Sequence, residues 1–390
     1  MICPQCSTEN HESTKKCISC KSRLMLGASG NGLLIGVFCA VAVMIIFISA
    51  YFFITNQQAN EITRSNTVQS DLFAATGEGS NIHGAMHKIE YNGVTLYLFG
   101  TMHAAAPEWF PLADFVEDAM RRADKFAFEV EFDIANLSPA ELIELAVIAT
   151  DMYLTNQTLT DVIPARVYDS LIRYIDTYGM THQEISRMNP LLLAMTLELN
   201  VVGEVFAQFG IYYDEQLGVD GYIMDFANRN NIPTIGLEPV TQQMRIAFAP
   251  NEEILQRANF NGTLNDIFYE SLDELLPREE LMNHFLENMV IHEYYLHNNI
   301  QGIVDSMRVS SEDMKNAFTR YMVQVLMNYR STYYALQIAE LLRTSEEGTT
   351  IFVAVGLSHV VREGEYLTNI VEQLELLEII AQPIYRQYQD

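Results

Sequence analysis

Cysteine is almost missing from this chain. Of its five cysteines, four lie within the first twenty of 390 positions and the fifth is Cys39, so residues 40–390 contain none. A segment without cysteine has neither disulfides nor a thiol nucleophile, and its stability must come from packing. The hydrophobic content of 49% is enough for a sizeable core.

Basic residues are also scarce. The chain has 23 lysines and arginines against 50 aspartates and glutamates, a formal net charge of -27. Residues 1–30 carry a small basic excess, so the acidic excess belongs to the rest of the chain. An acidic body repels phosphate backbones, which excludes nucleic acid as its partner.

Several hydrolase motifs are missing as well. The sequence has no Gly-x-Ser-x-Gly turn and no glycine-rich phosphate loop, which removes the common serine-hydrolase and nucleotide-binding interpretations. His292 and His297 resemble a zinc-protease helix motif, but they are five positions apart. On a helix that spacing turns the two rings about 140° away from each other. We therefore interpret both as packing or surface histidines.

The four early cysteines form two pairs within residues 1–26. Cys3 and Cys6, and then Cys17 and Cys20, give the spacing that closes a tetrahedral sulfur site around zinc. So short a segment has no core to fold without a metal. The sequence predicts a structural zinc ribbon without catalysis, and two disulfides are the alternative.

Residues 31–54 predict a transmembrane helix. Leu33 to Ile54 is an uncharged apolar run, and as a helix it would span about 33 Å, close to a bilayer core of about 30 Å. A buried soluble helix is the alternative. Lysines and arginines precede the run, which predicts a single-pass protein with a cytoplasmic N-terminus and an outer C-terminal domain. Residues 55–83 are polar and predict a flexible stalk.

Residues 84–390 predict one α/β (or α+β) domain, with a small central β-sheet among many helices. Asn92-Gly93 predicts a hairpin turn between two short strands. Other predicted elements are a helix from Trp109 to Ala123, a bend at Pro190 and a long helix from Ser310 or Ser311 to about Arg343.

Two strands of this domain end in the same motif. Thr95–Phe99 runs into Gly100-Thr-Met-His103, and Ile351–Val355 runs into Gly356-Leu-Ser-His359. A glycine lets the backbone turn at a strand end, and the histidine follows just beyond it. Two such strands side by side would bring both imidazoles over one site.

Carboxylates supply further candidates. Glu129 and Glu131 lie on the same face of a predicted strand, where they suit metal ligands or a general base better than a core; a solvated edge is the alternative. Asp220 and Glu238 are weaker candidates, each a plain surface carboxylate when taken alone. Two imidazoles with one or two carboxylates suit Mn, Co or Zn, which would lower the pKa of a water that attacks a carbonyl.

The order of these segments resembles the TraB/GumN/Tiki family, which has two Gly-x-x-His motifs and is distantly similar to erythromycin-esterase-like hydrolases. The resemblance covers roughly residues 85–385. It rests on Gly100–His103, Trp109, Phe128–Glu131, Gly218-Val-Asp220, Gly236-Leu-Glu238 and Gly356–His359.

The resemblance implies a divalent-metal-dependent protease with His103, His359 and Glu129 as metal or catalytic positions. Members often carry Arg-Asn before the last strand; here Arg330 is followed by Ser331. We therefore expect a membrane-anchored peptidase that acts on an extracytoplasmic peptide or protein, with a zinc ribbon available to a cytoplasmic protein partner. The alternatives are a non-catalytic protein that sequesters a pheromone-like peptide and a metallohydrolase that acts on a small ester.

Overall fold

The computed structural model describes Ser19 and residues 84–106, 109–130, 137–178, 180–208, 212–213, 218–273, 278–361 and 363–384. Apart from Ser19, the predicted zinc ribbon (1–26), transmembrane helix (31–54) and stalk (55–83) lie outside the described residues. Glu131 lies outside them too.

The described strands form two sheets. The strands are β1 Ala85–Tyr91, β2 Val94–Thr101, β3 Ala104–Ala105, β4 Lys125–Val130, β5 Tyr212–Tyr213, β6 Thr234–Glu238, β7 Thr350–Gly356 and β8 Ala381–Pro383. The larger sheet has six strands in the order β6-β4-β7-β2-β1-β8, and β3 pairs with β5 in the smaller one. This mixed sheet among many helices confirms the predicted α/β class.

Helices cover the larger sheet. The α-helices are Asp114–Arg122, Pro139–Asp151, Leu159–Val162, Ala165–Thr177, His182–Ile185, Pro190–Gln208, Val219–Arg229, Val240–Phe248, Glu252–Arg257, Leu264–Asp273, Arg278–Asn288, Val290–Leu296, Ile300–Ser306, Ala317–Tyr321, Arg330–Thr344, Ser358–Val361 and Ile370–Leu376. A 3-10 turn, Asp313–Lys315, and a π-helix, Met322–Tyr329, complete the set.

Four neighbouring strands of the larger sheet are parallel. β2 and β4 both pair in parallel with β7, and β6 pairs in parallel with β4. The predicted hairpin is confirmed, because β1 pairs antiparallel with β2 around Asn92 and Gly93, both with positive φ. Since the carboxyl ends of parallel strands meet at one edge of a sheet, this edge is where ligands bind in open α/β folds.

The core lies on both faces of these parallel strands. The buried rings of Phe99, Phe126 and Phe352 come from three of them; Phe352 lies 6.0 Å from Phe99 and 5.4 Å from Phe126 between ring centroids. β7 is buried from Ile351 to Gly356, as expected of a central parallel strand covered on both faces. This packing fixes the strand ends rigidly.

Three helix predictions were wrong in their bounds. The helix expected from Trp109 begins only at Asp114, after a cis peptide bond before Pro111. Pro190 begins a helix instead of bending one, because the Asn189 side chain accepts the Leu192 N–H at 2.7 Å and ends the preceding turn. The long helix from Ser310 is divided into the 3-10 turn, an α-turn, the π-helix and Arg330–Thr344.

One described helix, Pro190–Gln208, is long and apolar enough to cross a membrane, with 44% of its most apolar window buried inside the domain. Length and composition alone are weak support, since the core helix of a soluble protein has the same character. Leu193, Leu197 and Val201 are buried against neighbouring helices, as in such a core helix.

His292 is buried in an aromatic environment, which makes the stability of the fold sensitive to acid. Its ring lies 5.9 Å from that of Trp109 and 5.0 Å from that of Phe206. Burial lowers the pKa of His292 to about 4, so the unfolded chain takes up the proton first as the pH falls below about 6.5. Stability present above that pH is therefore lost as the pH falls towards 4.

The free energy of unfolding of the wild type should fall between pH 7.5 and pH 5. We expect this fall to be smaller by about 2 kcal/mol in His292→Phe. Urea unfolding at the two pH values measures this difference. His297→Phe is the matched control, because His297 is exposed at the end of the same helix. An unchanged acid sensitivity in His292→Phe would contradict the assignment.

Candidate functional site

The carboxyl ends of the four parallel strands bring the sequence candidates to one edge. Thr101, the last residue of β2, pairs with Gly356, the last residue of β7. On the other side of β7, Phe128 of β4 pairs with Ala354, so Glu129 follows next to the end of β7. Val130 of β4 in turn pairs with Glu238 of β6. These registers place both Gly-x-x-His motifs and two carboxylates along the same edge.

Glu129 is held on both carboxylate oxygens. Oε1 accepts the Gly356 backbone N–H at 2.6 Å, and Oε2 accepts from Arg330 Nη2 at 2.8 Å. A Cβ atom at position 356 would lie 2.9 Å from Oε1, so only glycine leaves room for this carboxylate. Glycine at the end of β7 therefore gives the carboxylate access to the backbone as well as allowing the turn.

The pKa of Glu129 lies far below its ordinary value. Burial raises the pKa, but the charges of Arg330, His359 and His103 and the Gly356 N–H lower it to about 2. The carboxylate therefore stays ionised at physiological pH. An efficient general base has a pKa near the working pH, so Glu129 suits an anionic ligand or a charge-stabilising group better than a proton acceptor.

Arg330 joins Glu129 to a second buried carboxylate. It donates to Oε1 of Glu238 from Nε at 2.9 Å and from Nη2 at 2.6 Å. The Tyr334 hydroxyl donates to the same oxygen at 2.5 Å. Only 6% of the Arg330 side chain and none of that of Glu238 is exposed. Burial lowers the pKa of Arg330, and the neighbouring carboxylates raise it by more, so the guanidinium stays charged.

His359 completes this cluster from the end of β7. The residue is 2% exposed, and its Nδ1 lies 2.8 Å from the Ser331 hydroxyl. Nε2 lies 3.9 Å from Oε1 of Glu129, and the ring meets the face of Tyr334 edge-on at 5.1 Å. The imidazole thus lies between the helix Arg330–Thr344 and the β4 carboxylate.

His103 forms a separate pair with Asp220. Its Nδ1 lies 3.0 Å from Oδ2 of Asp220, and 53% of the His103 side chain is exposed. Oδ1 of Asp220 is buried and has no hydrogen-bond partner among the residues described. Desolvation lowers the pKa of His103, but the hydrogen bond and charge of Asp220, with the charge of Glu129, raise it to about 9. Electrostatically, His103 therefore belongs with the Glu129 cluster.

The two imidazoles have the hydrogen bonds that metal-ligating histidines use. In such sites the second ring nitrogen is held by a carboxylate, carbonyl or other polar group, and here Asp220 and Ser331 hold the two Nδ1 atoms. Within the described ranges, no three His, Cys, Asp or Glu side chains surround a common point at metal-ligand distances. Each imidazole therefore has a partner for its Nδ1 atom, whereas the described side chains do not form a complete metal site by themselves.

The structure brings four of the sequence candidates into contact: Glu129, Glu238, Arg330 and His359. His103 and Asp220 form the second pair, and Glu131 lies outside the described residues. Sequence reasoning missed Tyr334 and the contact of Ser331 with His359. For Tyr334 the available signal was its spacing, because residues four apart, such as Arg330 and Tyr334, lie on one helix face. No spacing rule points from Ser331 to His359.

Gly218 holds the His103–Asp220 pair together. The Val219 N–H donates to the Met102 carbonyl at 2.9 Å, and a Cβ at position 218 would lie 2.6 Å from the His103 carbonyl oxygen and 2.9 Å from Oδ1 of Asp220. The backbone oxygen of His103 cannot easily move to make room for the added methyl group. We expect Gly218→Ala to lower the free energy of unfolding by about 1–3 kcal/mol.

Gly203→Ala is the matched control for this substitution, measured by urea unfolding. No described atom beyond the backbone of its own helix and its chain neighbours would meet the new Cβ at position 203 within 4 Å. Because alanine is the better helix former, Gly203→Ala is expected to stabilise by about 0.5–1 kcal/mol. Equal effects of the two substitutions would contradict the steric argument.

Comparison with known families gives one match. The model of the TraB/PrgY/gumN family matches residues 85–374, which include all six described site residues. No curated protein and no solved structure matches the chain.

Proposed function

The chain belongs to the TraB/PrgY/gumN family, and from that premise we propose that it is a divalent-metal-dependent hydrolase that cleaves peptides. One observation carries the proposal. Glu129 is ionised beside His359 and interacts electrostatically with His103, at the edge where four parallel strands end. A cluster of perturbed groups at such an edge is typical of a catalytic site.

The residues have separate roles in this proposal. His103 and His359 would hold Mn, Co or Zn through Nε2, with Glu129 as the anionic ligand. When bound, the cation supplies Lewis-acid polarisation of the scissile carbonyl and a water of lowered pKa. Arg330 keeps Glu129 ionised and in place. Asp220 orients the His103 ring through Nδ1.

Asp220 also sets a pH requirement for the site. Because the pKa of His103 is about 9, a cation must displace a proton from this ring at neutral pH. Loading of the site would therefore improve as the pH rises. This is the physical reason to run the assays below at a fixed and slightly alkaline pH.

We also propose where in the cell the protein acts. Residues 31–54 would anchor the protein in the lipid bilayer, with the hydrolase domain outside the cytoplasm, where it meets a peptide or protein substrate. Residues 1–26 would form a zinc ribbon, folded around structural zinc by Cys3, Cys6, Cys17 and Cys20, that binds a cytoplasmic protein.

A second candidate function has its own support. Glu129 already forms an ion pair with Arg330 at 2.8 Å, and three metal donors do not converge within the described part of the chain. Both facts suit a site that binds a peptide signal without cleaving it. In that case the edge would recognise the peptide through charge alone.

A substrate panel separates the candidates. The full-length protein is incubated with peptides and with small esters, with and without a chelator, and with added Mn²⁺. The proposal predicts cleavage of peptides that stops with chelator and returns with Mn²⁺. Ester cleavage alone would favour a small-molecule hydrolase, and peptide binding without any cleavage would favour the sequestering function. Glu129→Gln should abolish cleavage, whereas Glu144→Gln, on an exposed helix position, should not.

A further inference from the structure

The Ser331 hydroxyl and the His359 imidazole form a buried hydrogen bond. Ser331 and His359 are 0% and 2% exposed, and Oγ of the first lies 2.8 Å from Nδ1 of the second. A buried hydrogen bond of this length is geometrically strong. It fixes one nitrogen of the imidazole to the helix Arg330–Thr344.

The rest of the ring is also confined. Tyr334 meets it at an interplanar angle of 70°, and a Cβ atom built on Gly356 would lie 3.7 Å from its Cδ2 atom, so the backbone passes close to the ring. Nε2 lies on the side of Glu129. With Nδ1 tied to Ser331, the ring cannot exchange its two nitrogens without breaking a buried hydrogen bond.

Ser331 lies in the first turn of an α-helix that follows a π-helix. Met322–Tyr329 is π-helical, and an α-helix continues directly at Arg330. Arg330 and Tyr334 are four residues apart and both contact Glu238, so this helix face points at the strand ends. Ser331 follows Arg330 directly, about 100° further around the helix, and contacts His359 instead of Glu238. Irregular π-helical segments are frequent at functional sites.

We propose that Ser331 is a positioning residue that accepts the Nδ1–H of His359 and so, in the neutral ring, keeps the lone pair on Nε2. A serine hydroxyl oxygen has two lone pairs and can accept this N–H. The proposal rests on the proposed function, because Nε2 is the nitrogen that would bind a cation. The tautomer of a histidine is set by the partner of its other nitrogen.

The tautomer is directly measurable. The full-length protein is labelled with ¹⁵N-histidine, and long-range ¹H–¹⁵N spectra are recorded for the wild type, Ser331→Ala and Ser331→Thr, with His359→Gln to assign the signal. We expect Nδ1–H in the wild type, a shift towards Nε2–H or a mixture in Ser331→Ala, and the wild-type form in Ser331→Thr. A purely structural serine would not move the tautomer.

Ser358→Ala is the matched control. This serine neighbours His359, but its hydroxyl donates to Sδ of Met327, and so the substitution should leave the tautomer unchanged. Circular dichroism checks that every variant folds. Nε2–H in the wild type, or the same tautomer in Ser331→Ala, would overturn the proposal.

A second measurement separates this inference from the proposed function. Titration with Mn²⁺ should show roughly 10–100-fold weaker binding for Ser331→Ala, the usual loss when the partner of a ligating histidine is removed. Binding should be retained in Ser331→Thr and Ser358→Ala. If the tautomer changes while even the wild type binds no Mn²⁺, Ser331 positions His359 and the metal-dependent function is wrong. If Mn²⁺ binds and the tautomer does not depend on Ser331, only the present inference fails.

Discussion

Arg330→Met is expected to lower the free energy of unfolding by roughly 3–5 kcal/mol, because it leaves buried carboxylates without their counter-charge. Arg330 is buried, with 5% of the residue exposed. It donates hydrogen bonds to Glu129 and to Glu238. Removing the cation leaves Glu238, which is fully buried, beside a second anion. The carboxylates would then take up protons instead of remaining ionised.

The measurement is urea unfolding at pH 7.5. Arg330→Lys should recover only part of the loss, because an ammonium is a point charge and cannot donate to two carboxylates in the planar manner of a guanidinium. Arg343→Met, at an exposed position near the end of the same helix, is the matched control and should change stability little. A loss below about 1 kcal/mol for Arg330→Met, the range of a surface ion pair, would show that the cluster is not a buried charge network.

The second large effect concerns the histidines. His359→Gln and His103→Gln should each lower kcat/KM for peptide cleavage by about 10²–10⁴-fold. The two rings come from different strands but act on one site in the proposed function. The double variant should therefore be little worse than either single one, since residues that act as a unit are not additive.

His182→Gln provides the control for the histidine variants. His182 is exposed, and its Nδ1 lies 3.2 Å from the Tyr168 hydroxyl, outside the strand-end edge. Its substitution should leave cleavage unchanged. Fully additive losses for the two site histidines, or activity retained in both, would mean that the imidazoles do not share a site.

The sequence was informative where local chemistry decides the structure. Asn92-Gly93 predicts a hairpin turn because both residues tolerate positive φ, and they adopt it at 48° and 78°. Ser138 and Glu141, three residues apart, likewise form a capping box, with the Ser138 N–H donating to Glu141 at 2.8 Å. Each of these features needs only residues that are close along the chain.

The side-by-side position of the strands that end in the two glycine–histidine motifs was also predictable. Both follow apolar runs, and such runs pack as neighbours in a parallel sheet. The pairing of Thr101 with Gly356 places the ends of the two strands next to each other. What no local pattern shows is the partner of each ring, because Asp220 and Ser331 come from helices far from the histidines in the sequence.

The Arg330 network was outside the reach of sequence reasoning for a related cause. Its carboxylates lie 92 and 201 residues away along the chain, and only the finished sheet brings them together. The predicted helix boundaries were wrong for a different reason. Asn189-Pro190 carries the signature of a helix start, with a capping side chain followed by proline at the first position, and the apolar periodicity on either side obscured it.

Anomalous diffraction from crystals of the protein soaked in Mn²⁺ tests the central claim most directly. We predict one ion within about 2.3 Å of Nε2 of both His103 and His359, with Glu129 or solvent as the remaining ligands. A strand-end edge without any ion, or an ion bound elsewhere while these two rings keep only their present partners, would contradict a metal centre at this site.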